Sequence, residues 1–445
     1  MPPRTSQRPR LWVVVGLLCV LILINVHFFD ANGFLERGAS AWRVAAQVVA
    51  HLGLIVAWWQ LKGCSRPLMV SALWALPMLF ALPMHSRDAY SYAAQGWLMS
   101  RGLNPYEVTS GEANSVGLLV GRHWHDTTSV YPSLSLEIFG LVDRITGSEL
   151  IPTVIGLRLT NVLAMVLLAW ALARIARHLG VPREFAWWVG IANPVVLVQW
   201  VGGVHNDAIM VALIAFALSI ALRPGWVPLA LAGVGLGCAM GIKQSAALAG
   251  LGLVAVAWSV RHREGGWGRL ALVALVPGAT TVATFVALGV ASGLGVLGWN
   301  APTAGNPVAA PSNAPLSWVA SFLRYNEIAA DGLVNRSVAT FSYVLIAATL
   351  VALWVWIGPK ANDPGRPWLF LILSLLSFGA LGPAMQPWYL TWVIPFFAFA
   401  RSRWWPPLIV GFALLAGLQD GLPPYVSMGV VAPVVLAIWV WNPRS

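Results

Sequence analysis

Apolar residues run almost unbroken through fourteen segments of this chain: 11–29, 42–61, 67–84, 151–173, 186–202, 207–222, 226–242, 244–260, 270–291, 338–357, 367–385, 388–400, 404–419 and 423–441. A helix needs roughly 20 apolar residues to cross a bilayer. The runs 226–242, 244–260 and 388–400 are short or lack clean boundaries, so the pattern predicts twelve to fourteen spans. The first run lacks a small-residue cleavage site and a second follows closely, so it reads as a span, not a cleaved leader. Two stretches interrupt the pattern at length, 85–150 and 292–337, while connections such as 62–66, 174–185 and 358–366 are short. Long loops in compact proteins are usually functional.

Inside 85–150, residues 89–101 read as a helix with Tyr92, Gln95 and Met99 on one face, ended by Gly102-Leu103-Asn104-Pro105. A second helix is expected over 131–145, with Leu134, Ile138, Leu141 and Val142 on one side and Glu137, Asp143 and Arg144 on others. It is too short and too polar to span, and reads as an interfacial helix. Segment 292–337 is rich in Gly, Pro and Asn, as in Trp299-Asn300-Ala301-Pro302 and Asn306-Pro307, with little periodicity before Ser317. A substrate lid and a plain connector are its two readings.

Composition narrows the class. Apolar residues make up 58% of the 445 and charged residues 10%, against roughly 25% charged in soluble domains. A soluble enzyme, a disordered tail and a fibrous protein are excluded. The expectation is an all-α polytopic membrane protein forming one domain over 1–445.

The net charge of +11 raises the question of nucleic acid. With a cytoplasmic N-terminus and all fourteen runs crossing, the inner loops hold 17 of the 27 Lys and Arg but only three of the 16 acids. Lysine and arginine favour the cytoplasmic side, so the excess is a topology signal and no nucleic-acid partner is needed. Both long loops then fall outside, which predicts an extracytoplasmic working face. Cys19, Cys64 and Cys238 form neither a disulfide framework nor a zinc set. A phosphate-binding Gly-rich loop with Lys and Ser/Thr and a His-Glu-x-x-His motif are missing too, so no cofactor and no metal are expected.

The polar residues that remain gather at the predicted outer ends of spans. Asp88 sits past the third run with Arg87, Tyr90 and Tyr92 crowding the same turn. An exposed helix cap is one reading; a functional carboxylate near hydrocarbon is the other. His205-Asn206-Asp207 follows Gly202-Gly203 between two apolar runs and reads as a turn or as a site for a hydroxylated ligand. Lys243 ends a stripe of Gly233, Gly237 and Gly241 at spacing four. The stripe is a packing feature; the lysine either snorkels to the surface or meets a phosphate. Arg158, one or two turns into the fourth run, is a second phosphate candidate through its bidentate fork. Gln386-Pro387-Trp388-Tyr389 reads as interfacial belt or as an aromatic platform for a sugar ring. Polar residues at one face, not along a path through the bilayer, favour surface chemistry over a transporter, as does the lack of clear two-fold repetition.

Several motifs together resemble one family. They are Ser86-Arg87-Asp88-Ala89-Tyr90-Ser91-Tyr92-Ala93-Ala94-Gln95-Gly96, Gly102-Leu103-Asn104-Pro105-Tyr106, Trp124-His125-Asp126-Thr127-Thr128, His205-Asn206-Asp207-Ala208-Ile209-Met210-Val211 and Gln386-Pro387-Trp388-Tyr389-Leu390-Thr391-Trp392. The chain resembles the actinobacterial polyprenyl-phosphomannose-dependent α-(1→6)-mannopyranosyltransferases, which have the GT-C fold. Where that family has Tyr-Gly-Pro-Leu, this chain has Tyr131-Pro132-Ser133-Leu134. The resemblance implies a bundle of about 12–14 transmembrane helices with interfacial helices in the first outer loop. It implies a polyprenyl-phosphate-mannose donor and a lipid-anchored mannan or phosphatidylinositol mannoside acceptor, at the outer face of a bacterial plasma membrane. It carries the catalytic role to Asp88. Lys243 and Arg158 are then the donor-phosphate candidates; Arg87, Tyr92, His205, Asn206, Asp207, Gln386, Trp388 and Tyr389 are the substrate-binding ones. Asp207 is expected to bind a hydroxyl or to orient His205. An arabinosyltransferase using a lipid-phosphate donor and a non-enzymatic lipid or sugar transporter are the rival readings.

Overall fold

The computed structural model describes residues 8–31, 41–261, 266–300, 312–358, 363–400, 405–418 and 422–441. Arg4, Arg263, Glu264, Lys360, Arg401, Arg403 and Arg444, which entered the charge count, lie outside these residues, as do Ala301-Pro302 and Asn306-Pro307 of the segment read as a lid or a connector. The described chain is helical, with no strand among the described residues. It is an all-α polytopic membrane protein. Among the described residues, six helices are long and apolar enough to cross a membrane: Pro9–Phe28, Ala41–Gln60, Leu150–Leu179, Gln244–Arg261, Trp267–Ala291 and Asp331–Ile357. A seventh candidate is the pair Arg183–Gly190 and Pro194–Gly202, bent by 52°.

The other expected spans are shorter than the sequence pattern suggests. Pro67–Met78, Asp207–Ala221, Trp226–Ile242, Arg366–Leu381, Trp405–Leu418 and Pro424–Val440 are apolar helices of 10–17 residues. At 1.5 Å per residue the longest reaches about 26 Å, short of a ~30 Å hydrocarbon core. The run 388–400 is not an α-helix. It forms two 3₁₀ segments, Pro387–Trp392 and Ile394–Ala398; Pro395, in the middle of the run, has no N–H to bond the carbonyl four residues back, so one continuous α-helix is interrupted there. The run 186–202 breaks at Asn193-Pro194, where the Asn193 side chain accepts from the Val195 N–H, and continues into a π-helical turn, Val198–Gly202. Such turns are frequent at functional sites.

Close helix contacts are made by small residues. A Cβ on Gly233 would overlap Thr280 Oγ1, and one on Gly237 would lie 2.6 Å from Thr284 Cβ. The glycine stripe therefore packs Trp226–Ile242 against Trp267–Ala291. At the other end of the bundle, Trp58 and Trp188 stack at 4.2 Å. Each indole N–H donates to the other's carbonyl, at 2.8 and 2.9 Å.

The first long loop folds into a compact cap. Asp88–Ser100 and Ser133–Thr146 are its two helices. They touch through glycine: a Cβ on Gly96 would lie 2.5 Å from the Phe139 carbonyl, and one on Gly140 2.7 Å from Met99 Cβ. Of the apolar side expected for the second helix, Val142 is buried, Leu134 and Ile138 are half-buried and Leu141 is exposed. Leu136, Phe139, Val142 and Asp143 point inward, while Leu141 and Ile145 are exposed and line an apolar groove against Leu150–Leu179. Asp143 is buried because Ser100 and Ser148 donate hydroxyl bonds to it at 2.6 and 2.8 Å and Arg101 lies at 3.5 Å. Buried carboxylates need such partners.

Candidate active site

Four segments far apart in sequence meet at one end of the bundle: the start of the cap, the turn 203–207, the turn at Lys243 and the 3₁₀ segment after Gln386. All but the turn 203–207, which lies behind the wall, line a cavity of about 500 Å³, within the usual size of a ligand site. Asp88, Arg87, Lys243, Gln386, Trp388 and Tyr389 line it, together with Arg122, His123 and Gln244. Asp88 is its only lining acid among the described residues.

The position of Asp88 follows from local chain geometry. His85 takes a left-handed φ of 62°, which turns the chain into the helix that begins at Asp88. The Ser86 hydroxyl accepts the Asp88 backbone N–H at 3.0 Å. That hydroxyl does the capping, so the Asp88 carboxylate is not a cap and faces the cavity instead. It sits in the first helical turn, where the helix dipole favours negative charge. Its Oδ2 lies 3.5 Å from His205 Nδ1. Burial pushes the Asp88 carboxyl up, but His205, the Ser86 hydroxyl and the Lys243 charge outweigh it and hold the group below its ordinary value.

His205 is fully buried behind that carboxylate. Its ring stacks on Trp388 with centroids 4.0 Å apart and planes within 14°. The preceding residue, Val204, has φ of 63°. A β-branched residue rarely adopts this conformation, which costs on the order of 1–3 kcal/mol. The strain turns His205 toward Asp88. A Cβ on Gly203 would lie 2.9 Å from the His205 ring, so glycine is needed for the imidazole to pack there.

Lys243 finds an acid that its sequence neighbourhood lacks. Its Nζ donates to Asp207 Oδ1 at 2.9 Å and lies 4.4 Å from the centre of the Tyr389 ring. Trp392, not singled out from sequence, also donates its indole N–H to Asp207 Oδ1. Asp207 is fully buried. It orients Lys243 and Trp392, and the expectation that it orients His205 is corrected. Asn206 is structural too: it donates to Ser135 at 3.1 Å and accepts from Tyr92 at 3.4 Å. Tyr92 is buried, stacked on Phe139, and meets the Tyr131 hydroxyl at 3.2 Å. Tyr92, Asn206 and Asp207 thus shape the wall behind the cavity.

Arg158 is the clearest correction. It is fully buried and outside the cavity. Its Nε donates to Val201 O at 2.9 Å, Nη1 to Leu79 O at 3.0 Å and to Ala81 O, and Nη2 to Gly202 O at 3.2 Å. Four of its five N–H donors are taken by carbonyls, and the guanidinium does not line the cavity, so it is not placed to hold a phosphate there. In its place the structure brings Arg122 beside Arg87. A Cβ on Gly121, the residue before Arg122, would lie 3.8 Å from Arg87 Cβ, and both arginines are exposed at the cavity wall. The sequence signal was present in Arg122-His123, just before Trp124-His125-Asp126, and was not singled out. Of the motif that follows, His125 and Asp126 pair with each other at the surface.

The fold and cavity define a polytopic membrane protein that presents one carboxylate, a pair of arginines and an aromatic wall at one end of its helices. Residues 16–261 match the family described as Alpha-(1->6)-mannopyranosyltransferase, N-terminal domain, and the chain belongs to that family. It is 32% identical over 339 residues to Alpha-(1->6)-mannopyranosyltransferase A of Mycobacterium tuberculosis, covering 72% of this chain and 63% of that one. It is 35% identical over 196 residues to Alpha-(1->6)-mannopyranosyltransferase A of Corynebacterium glutamicum, covering 43% and 38%. A probable alpha-(1->6)-mannopyranosyltransferase of Mycolicibacterium smegmatis is 29% identical over 388 residues, covering 78% and 67%. The chain thus spans less than two thirds of the length of the first two relatives. The family match includes Asp88, His205 and Lys243, and ends before Gln386, Trp388 and Tyr389.

Proposed function

We propose that this protein transfers mannose from a polyprenyl-phosphate-mannose donor to a lipid-anchored mannan or phosphatidylinositol mannoside, forming an α-1,6 linkage with inversion, at the extracytoplasmic face of a bacterial plasma membrane. The observation that carries this reading is the single acid in the cavity wall, Asp88. Retention by double displacement uses a second carboxylate about 5 Å away as nucleophile; single displacement needs one base. In that step the acceptor oxygen attacks the anomeric carbon from the side opposite the phosphate. Its proton passes to Asp88, the carbon–oxygen bond to phosphate breaks, and the lipid phosphate leaves with the electron pair. A mannose donor and mannan acceptor are supported by the names of the relatives, and the outer face by the distribution of Lys and Arg.

The leaving phosphate gains charge as the bond breaks, and fixed cations there lower the barrier. Lys243 lines the cavity, but its charge is matched by Asp207. Arg87 and Arg122 have no carboxylate within ion-pair distance among the described residues and are assigned the phosphate. Arg87→Gln and Arg122→Gln are each expected to raise the KM for the lipid donor about tenfold, the effect of losing one charge-assisted hydrogen bond. Acceptor KM stays within twofold. Initial-rate kinetics with each substrate varied would check this; unchanged donor KM in both variants would remove the assignment.

Reconstituting the protein in vesicles with polyprenyl-phosphate mannose, polyprenyl-phosphate arabinose and a soluble nucleotide sugar tests the whole reading. Transfer from the mannose lipid alone, with an α product from a β donor by NMR, is the expected result. Retained configuration, or transfer only from another donor, would overturn it. The acid limb of kcat/KM should lie below the ~3.9 of an ordinary aspartate, because Asp88 is held ionised. His205→Gln removes the main stabilising partner, so the limb moves to higher pH. A pH–rate profile in which the two enzymes coincide would disprove that coupling.

A further inference from the structure

A second, smaller cavity of about 140 Å³ lies on the other side of Gln386 and Trp388, which line both chambers. Its wall also includes Asn313 from the segment before Pro315–Tyr325, Ser427 from Pro424–Trp441, and Pro387 and Pro424. Two of its polar atoms have no hydrogen-bond partner, Asn313 Oδ1 and Ser427 Oγ, although these residues are only 5% and 1% exposed. Buried polar atoms without partners are uncommon and call for an explanation. None of the described residues lining this chamber is an acid, a lysine or an arginine. His85 is the chamber's only ionisable side chain among the described residues, with no lysine or arginine beside it, so the lining suits a neutral, hydroxyl-rich occupant better than a phosphate. An indole face and two prolines beside an amide and a hydroxyl suit a sugar ring, whose faces are apolar and whose rim carries hydroxyls.

The geometry points to this chamber as a subsite for a second sugar unit of the acceptor, adjoining the one whose hydroxyl faces Asp88. The inference rests on the proposed transferase reading and extends it. The donor contributes one sugar joined to a phosphate, and the cations are in the larger cavity. Only a polymeric acceptor brings a further neutral ring. Gln386 and Trp388, the latter stacked on His205, form the partition between the two chambers, so neighbouring sugar units of that acceptor would lie on either side of it. Water is the competing occupant, since the volume would hold four or five molecules at ~30 Å³ each.

The test compares an alkyl monomannoside with an alkyl α-1,6-dimannoside as acceptors for the full chain in vesicles. Asn313→Ala and Ser427→Ala are expected to raise the KM for the dimannoside about tenfold in combination, with kcat and the monomannoside KM unchanged. Ser427→Leu, which fills the chamber, should give the same selective loss while leaving the detergent elution profile of the folded protein intact. Equal changes with both acceptors, or no change with either, would overturn the subsite and identify the chamber as hydration space. Such a result leaves monomannoside turnover standing, and with it the transferase reading. A wild-type protein that glycosylates neither acceptor would overturn both.

Discussion

Asp88→Asn is expected to lower kcat for mannose transfer by about 10²–10⁴-fold, the usual contribution of a positioned general base. The amide keeps the shape of the carboxylate but not its basicity. Folding should be unaffected, because the helix start is capped by the Ser86 hydroxyl and the Asp88 side chain takes no part in that bond. Donor KM should change little, since Arg87 and Arg122 remain. The chemistry has no second acid to fall back on among the described cavity residues. Asp207 is fully buried, and its Oδ1 holds Lys243 and Trp392. Asp88→Glu is a useful companion. It restores the charge but moves the oxygens by one methylene, so it should recover part of the rate. Measuring single-turnover transfer on vesicle-reconstituted protein separates chemistry from product release. An Asn variant within tenfold of wild type would show that the proton goes elsewhere, and the mechanism would fall.

The hydrophobic pattern made the class and most element positions legible. The cap helix expected over 89–101 is found at Asp88–Ser100, and the run 226–242 is the helix Trp226–Ile242. The pattern also placed Asp88, His205, Lys243 and Trp388 at the ends of runs on one side; Asp88, Lys243 and Trp388 line one cavity, and His205 is buried against Asp88 and Trp388. What it missed depends on partners distant in the chain. Lys243 and Asp207 are 36 positions apart, and nothing at either position announces the other. The run 388–400 failed for a local reason that could have been weighed: Pro387 and Pro395 open successive 3₁₀ segments. For Ser133–Thr146 the pattern gave the helix and its apolar side but not what the other side meets. Ser135 and Asp143 are buried and hydrogen-bonded, a possibility that hydropathy alone does not register.

Arg158 shows the same limit most sharply, because its partners are carbonyls, which carry no residue identity. Leu79 and Ala81 lie on the chain leading to Asp88, and Val201 and Gly202 on the chain leading to His205. The guanidinium therefore clasps the two strands of backbone that set the spacing between base and imidazole. A bond from the Met84 N–H to Gly202 O at 3.1 Å reinforces the clasp, and Asn161 donates to Trp200 O and His205 O at 2.8 and 3.1 Å. Arg158→Met would take this donor from the Leu79, Ala81 and Val201 carbonyls and leave Gly202 O with the Met84 N–H alone, at a cost of about 2–4 kcal/mol. The expected results are a clearly lower thermal midpoint in detergent and a kcat reduced about a hundredfold, since a displacement near 1 Å can cost that much. Donor KM should be nearly unchanged. Arg158→Lys should restore little, because an ammonium cannot reproduce the planar fork that reaches both segments. A phosphate ligand predicts the reverse: normal stability, a raised donor KM and substantial rescue by lysine. Thermal melts and donor kinetics on the two variants therefore decide whether this buried cation positions the site or binds the substrate.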